Sequence, residues 1–221
     1  MRDRWTLVHS LAMLVLAGVA LALSAPLVVA LGGAVSLAIF AANHRGRFTP
    51  RGPFGVANAI TALRIGLVIA LSAVGRLGPF ASLIVLCSFA LDGLDGAVAR
   101  RRGDDSAFGA AFDMETDALL VLVAGLVLAL RGSLGAFIIV PGLLRYAYAA
   151  AVALAPSVGE EPRSRLGRSA FSVMVISLAV SLWPVEPVSK PLAIFATALI
   201  VLSFGRSTYF SFFRGSSRAR R

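Results

Sequence analysis

Charge is scarce in this chain, and cysteine and histidine are scarcer: of 221 residues only 14 % are charged, one is cysteine and two are histidine. A single Cys87, set inside an apolar stretch, excludes a disulfide framework and a cysteine-rich zinc site and leaves the redox compartment open. No repeat of fixed period and no low-complexity tract is present. What the chain has instead is apolar bulk, 58 % of residues, with a mean hydropathy of +0.85. That is too apolar for a soluble domain. Segments 5–23, 26–42 and 118–130 are apolar around the whole helix circumference, as lipid-facing surfaces are. The expected fold class is all-α, a polytopic transmembrane helical bundle. The formal charge of +10 would suggest nucleic-acid binding in a soluble chain, but topology accounts for it here, and no nucleic-acid partner is expected.

Eight apolar stretches are near bilayer-crossing length: 5–23, 26–42, 57–75, 79–98, 107–130, 134–155, 169–185 and 191–210. Short connections with turn chemistry, such as Ser24-Ala25-Pro26 and Arg131-Gly132-Ser133, imply tight helical hairpins. With the N-terminus in the cytoplasm, Arg2, Arg4, Arg45, Arg47, Arg51, Arg100–Arg102, Arg163, Arg165, Arg168 and the arginines after 213 all fall on the cytoplasmic side. Arg76, Arg131 and Lys190 fall outside. Residues 5–23 could be mistaken for a signal peptide, but a second span follows at once, so a transmembrane hairpin explains both. The expected organisation is an N-terminal hairpin over 1–43, a basic juxtamembrane segment over 44–56, a six-helix core over 57–210 and a basic tail over 211–221. An inner or plasma membrane location follows, with both termini and the functional site cytoplasmic. The juxtamembrane segment mixes His44, Arg45, Arg47, Phe48, Arg51 and Phe54, a composition suited to anionic headgroups.

The chemistry is concentrated between residues 92 and 117, which hold seven of the 11 acidic residues. Carboxylates are costly inside a span, so each is a functional hypothesis unless a partner neutralises it. Asp92, Asp95, Gly96 and Ala99 share one face of a helix, and Gly109, Asp113 and Asp117 share one face of the next. If the faces oppose, four carboxylates converge, with the small residues keeping bulk away from whatever lies between. Several ionised carboxylates in one place need strong positive charge. All-oxygen ligation without Cys or His nearby suits hard cations, Mg²⁺ or Mn²⁺, which draw remaining ligands from substrate phosphates; two such ions clamp a displacement at phosphorus. A diphosphate substrate is implied. Asp104 and Asp105, following three arginines, read as solvated counter-charges, and Glu115, off the Asp113/Asp117 stripe, as a neighbour.

The string Asp92-x2-Asp95-Gly96-x2-Ala99-Arg100-x8-Gly109-x3-Asp113-x3-Asp117 resembles the signature of the CDP-alcohol phosphotransferase family of integral membrane enzymes at all its fixed positions. Asn58-x2-Thr61-x2-Arg64 is similar to the pattern that opens that family's first core helix, and Ser106-x2-Gly109 to the small-hydroxyl-then-glycine pattern before its third aspartate. The resemblance covers about residues 55–210 and implies the six-helix core, a homodimer, and an active site open to the cytoplasm and to lipid. It implies that Asp92, Asp95, Asp113 and Asp117 bind two divalent ions and that Asp117 is also the general base on the acceptor hydroxyl. Asn58, Thr61, Gly96, Arg100, Ser106 and Gly109 would hold the cytidine diphosphate moiety. Asp117 lies about 12 Å by helix rise beyond Gly109, deepest of the four carboxylates. Helix capping is an equal reading for Ser106 and dipole compensation another for Arg100.

Arg64 either snorkels or pairs with the acidic cluster, and pairing is favoured. Arg145, mid-span after Pro141, joins Arg163, Arg165 and Arg168 as candidates for recognising an acidic acceptor; topology and headgroup binding explain the 163–168 group equally well. The expected reaction is transfer of a substituted phosphate, phosphatidyl from CDP-diacylglycerol, to a small alcohol acceptor such as glycerol 3-phosphate with release of CMP, in phospholipid biosynthesis. Two alternatives stand beside it. An intramembrane Mg²⁺-dependent prenyltransferase also uses aspartate motifs, but on well-separated helices, whereas 17 residues lie between Asp95 and Asp113 here. A cation or proton transporter would use an intramembrane carboxylate site, but no inverted repeat supports it.

Overall fold

Turn residues cut the apolar chain into eight helices, seen in a computed structural model that describes residues 2–74, 76–132, 134–155, 165–183 and 187–214. They are α1 (Arg2–Leu23), α2 (Leu27–Asn43), α3 (Gly55–Ala73), α4 (Pro79–Arg102), α5 (Ala107–Leu130), α6 (Val140–Leu154), α7 (Arg165–Leu182) and α8 (Ser189–Tyr209). A 3₁₀ turn, Ala136–Ile139, leads into α6, and a π turn, Phe210–Arg214, ends α8. No strand occurs among the described residues. Pro79 opens α4, where a missing N–H costs nothing. Gly103 closes it in the left-handed conformation (φ 64°), and Asp104 N–H reaches back to the Ala99 carbonyl at 3.0 Å, satisfying an orphan acceptor at the helix end. Arg100, Arg101 and Arg102 in that last turn oppose the negative end of the helix dipole.

Among the described residues, five stretches are long and apolar enough to cross a membrane: Arg4–Leu23, Gly55–Ala73, Pro79–Arg102, Ala136–Leu154 and Ser189–Phe212. α2 and α7 are apolar but shorter, and α5 carries Asp113, Glu115 and Asp117 in its first half. The protein is therefore an all-α polytopic membrane bundle.

The packing is a ring around a central helix. α3, α4, α7, α8, α6, α1 and α2 each touch the next and close on α3, while α5 contacts α1, α2, α3, α6 and α7. Residues 118–130, read from the sequence as facing lipid, instead form the protein core: every residue from Ala118 to Leu128 is buried. All-round apolarity marks burial in protein or in lipid equally, so the pattern could not separate them. The first two helices are two-faced. Val8, Leu11, Val15 and Val19 form an exposed stripe on α1, and Leu27, Leu31, Val35 and Ile39 one on α2, while Met13, Ala17, Val29 and Leu37 are buried.

With little hydrophobic drive between helices in lipid, close backbone approach matters, and small residues permit it. A Cβ at Gly125 would stand 2.7 Å from the Ile138 carbonyl oxygen, and one at Gly142 would stand 2.6 Å from Leu122 Cα. These two glycines set how near the 3₁₀ turn and α6 come to α5. Gly142→Val is expected to push α6 off α5 and destabilise the protein by about 1–3 kcal/mol, whereas Gly18→Ala, whose added Cβ meets nothing within 4 Å, leaves stability nearly unchanged. Thermal unfolding in detergent compares the two.

Candidate active site

Residues 103–106 join α4 to α5, yet the two helices are not packed against one another along their lengths. They diverge from the loop, and α3 packs against both. The side chain that fills the wedge is Arg64 of α3, 1 % exposed. Its Nη1 is 3.3 Å from Asp92 Oδ1 and 3.1 Å from Asp95 Oδ2, and it also bonds Asp113; its Nη2 bonds Asp117. One guanidinium thus reaches all four carboxylates of the motif, and the expectation that Arg64 pairs with the cluster is met. A second α3 residue, Thr61, donates to Asp95 Oδ2 at 2.9 Å. Asp95 is the most enclosed of the four, and Asp113, at 34 % side-chain exposure, the most open.

Four carboxylates against one guanidinium leave a formal charge of −3 if all are ionised. Carboxylate oxygens of Asp92, Asp95 and Asp113 lie within 4.8 Å of one another. Hard oxygen donors at that spacing fit a divalent cation, which would supply the missing charge. Asp117 is outside that close trio and is tied to it through Arg64.

Two cavities meet at this cluster. The first, about 500 Å³, is lined by Asn58 and Thr61 of α3, Asp95, Gly96 and Ala99 of α4, the loop Asp104–Ser106, and Gly109 and Asp113 of α5. Five of the six residues expected to hold the nucleotide moiety therefore line one space. The sixth, Arg100, is exposed and folds back over Gly96, its Nη1 3.2 Å from where a Cβ there would stand. Gly109 is required by close approach: a Cβ would stand 3.0 Å from Asn58 Oδ1 and 3.2 Å from Ser106 Oγ. Ser106 is the N-cap of α5, accepting from Gly109 N–H at 2.9 Å, and its hydroxyl donates to the Phe48 carbonyl at 2.6 Å. Capping is thus a role Ser106 has, whatever it adds at the cavity wall. Asn58 Nδ2 donates to the Phe54 carbonyl at 2.5 Å. Phe48 and Phe54 meet the stacked pair Phe108 and Phe112 at the start of α5 edge-on or tilted, so the aromatic half of the juxtamembrane segment turns inward while Arg45, Arg47 and Arg51 are exposed.

Asp104 and Asp105 sit at the rim of the first cavity, Asp105 exposed and Asp104 half-buried, positions that a solvated counter-charge can hold.

The second cavity, about 590 Å³, lies between single faces of four helices: Asp113, Asp117 and Val121 of α5, Pro141, Arg145 and Tyr148 of α6, Arg168, Phe171 and Met174 of α7, and Ile200, Phe204 and Ser207 of α8. Asp113 lines both cavities and Asp117 the second alone. Of the four arginines considered for an acceptor, Arg145 and Arg168 are brought together here. Arg163 lies outside the described residues, and Arg165 is placed only as the first residue of α7. Glu115 is not merely a neighbour: its Oε1 accepts from Arg145 Nη2 at 2.6 Å.

The carboxylate cluster thus borders two cavities, one lined by polar and small residues and one mainly by apolar ones. The family profile for CDP-alcohol phosphatidyltransferase matches residues 54–204. The chain belongs to the CDP-alcohol phosphatidyltransferase family. No curated protein and no solved structure matches it. As a CDP-alcohol phosphatidyltransferase it is a transferase of substituted phosphate groups, of a family typically dependent on divalent cations. The prenyl-transfer and transport readings are set aside. The match begins after α2, so α1 and α2 lie outside the family pattern.

Replacing Arg64 with Gln should leave four clustered carboxylates without their common partner and lower stability by about 3–5 kcal/mol, the usual cost of breaking a buried ion pair. Thermal unfolding in detergent measures the loss. Added Mg²⁺ is expected to restore more stability to Arg64→Gln than to the parent.

Proposed function

We propose that this protein transfers the phosphatidyl group of CDP-diacylglycerol to a phosphorylated alcohol, glycerol 3-phosphate being the simplest, and releases CMP. The observation that carries the reading is the placement of Asp113 on the wall between the two cavities. A nucleotide diphosphate held in the first cavity and an acceptor held in the second would meet at that wall. The first cavity offers amide, hydroxyl and glycine backbone surface, suited to a nucleotide; the second offers an apolar wall for acyl chains and two guanidinium groups. Arg145 and Arg168 favour an acceptor that carries its own phosphate, because guanidinium pairs phosphate through two parallel N–H bonds and a neutral alcohol has no charge to offset.

In the reaction, the acceptor hydroxyl oxygen attacks the phosphorus that bears diacylglycerol. The bond from that phosphorus to the bridging oxygen breaks, and CMP leaves with the electron pair. Asp117 takes the hydroxyl proton, since it alone of the four faces only the acceptor side. Asp92, Asp95, Asp113 and Asp117 would hold two divalent ions, Mg²⁺ or Mn²⁺, which when bound offset the diphosphate charge and polarise the phosphoryl oxygens. Thr61 and Arg64 keep the carboxylates in register. Gly96 and Gly109 leave room for the diphosphate, with Asn58, Ser106 and Arg100 at its edges. The arginine-rich segments favour a site and termini on the cytoplasmic side of an inner or plasma membrane, and the family resemblance implies a homodimer.

Mass spectrometry of products from purified protein, CDP-diacylglycerol, Mg²⁺ and a panel of alcohols tests the reading: CMP and a phosphatidyl ester of glycerol 3-phosphate are expected, and CMP with a neutral alcohol alone overturns the acceptor assignment. Asp92→Asn should nearly abolish turnover. Asp117→Asn should still bind the donor yet lose roughly 10²–10⁴ in rate, as removal of a general base does; normal turnover at saturation would move the base elsewhere. Arg168→Ala is expected to raise the acceptor KM far more than the donor KM, because the contact serves one substrate.

A further inference from the structure

The first two helices lie outside the family pattern, yet α1 carries a buried histidine that the catalytic reading does not use. His9 is 2 % exposed. Its ring stacks on Trp5 with centroids 4.7 Å apart and meets Tyr146 edge-on. A polar ring inside an apolar hairpin is costly unless it has partners. It has a hydrogen-bond partner on one side and a carboxylate facing it on the other. Nδ1 is 2.8 Å from Ser36 Oγ of α2, and Nε2 faces Glu115 Oε2 of α5 across 3.7 Å, near enough for a dipole to feel the carboxylate and too far for a hydrogen bond. If the Ser36 hydroxyl donates to Nδ1, the ring proton sits on Nε2 and faces the carboxylate.

Glu115 in turn accepts from Arg145, whose side chain lines the second cavity. One chain of polar groups therefore crosses four helices: Ser36, His9, Glu115, Arg145. Glu115 engages one guanidinium nitrogen, which leaves others of Arg145's five N–H donors for the cavity. The orientation of that guanidinium depends on the carboxylate that holds it, and the far oxygen of that carboxylate faces His9 Nε2. We propose that His9 is a positioning residue for acceptor binding, and that the N-terminal hairpin serves the active site by locking Glu115 so that Arg145 is aimed at the acceptor's phosphate. The proposal rests on the reading of the second cavity as the acceptor site.

The test compares the parent, His9→Ala, His9→Gln and Gly125→Ala in steady-state CMP release with CDP-diacylglycerol and glycerol 3-phosphate, together with the melting-temperature shift that glycerol 3-phosphate alone produces. Gly125→Ala serves as a packing control, since its Cβ would stand 2.7 Å from the Ile138 carbonyl oxygen, a backbone clash away from the His9 contacts. His9→Ala is expected to raise the acceptor KM roughly three- to tenfold, the range for loss of one polar contact, with donor KM and kcat little changed. His9→Gln, whose amide offers a donor and an acceptor in place of the ring nitrogens, should recover much of it. Gly125→Ala should lower the melting temperature without a selective rise in acceptor KM. Unchanged kinetics in His9→Ala, or a loss shared by kcat and both KM values and matched by Gly125→Ala, overturns the proposal. If the parent releases no CMP with any acceptor, the functional reading fails by itself; the positioning role then stands on the melting shift, present in the parent and lost in His9→Ala, and falls if the two proteins shift alike.

Discussion

The contact of Arg64 with four carboxylates is the constraint around which the rest of this bundle is arranged. Taking a charged group into a membrane protein's interior is tolerated only with partners, and here the partners come from two helices that do not pack on each other. α3 has to lie between α4 and α5 for the guanidinium to reach both. That position holds the two helices apart, and the space their divergence leaves is the first cavity. The same charge that makes the cluster foldable keeps its carboxylates close enough to share a cation.

From that wedge the chemistry acquires a direction. The α4 end, closed by Gly103 and followed at once by the Ser106 cap, leaves a short loop, so Asp104 and Asp105 border the first cavity. Along α5, one helical turn carries Asp113 at the wall between cavities to Asp117 within the second. In the proposed reaction a donor in the first cavity and an acceptor in the second meet at this helix face. The aromatic packing of Phe48 and Phe54 on Phe108 and Phe112 ties the chain ahead of α3 to the start of α5. It stiffens the rim where Asn58 and Ser106 take their backbone acceptors.

The N-terminal hairpin is packed into the bundle although it precedes the family match. α1 packs on α6 and closes the ring around α5. Its burial against α5 and α6 brings His9 to Glu115, so the hairpin both shields the core helix and reaches, through one carboxylate, a guanidinium at the cavity. Neither effect depends on the family pattern, which begins past α2.

Much was legible in the sequence because it is local. Helix starts follow from Pro26, Pro79 and Ser106, whose backbone chemistry opens a helix whatever surrounds it, while α4 runs past the expected end at 98 to its Gly103 cap. The carboxylate stripes follow from helical spacing alone, which put Asp92 with Asp95 and Asp113 with Asp117 on single faces and so made both the cluster and the family pattern readable. The all-α membrane class follows from apolar bulk. Other features were decided by packing between distant segments. Residues 118–128 are apolar on every side, a property shared by helices in lipid and helices in protein, and only the ring of neighbours makes α5 the core. Glu115 sits two residues from Asp113 and four before Leu119, so spacing shows only that it faces away from the cluster. That it meets Arg145 and His9 depends on where α6 and α1 pack. Hydrogen bonds and ion pairs across 27 or 30 residues have no periodicity to betray them, because they arise from the three-dimensional arrangement of helices and from nothing nearer in the chain.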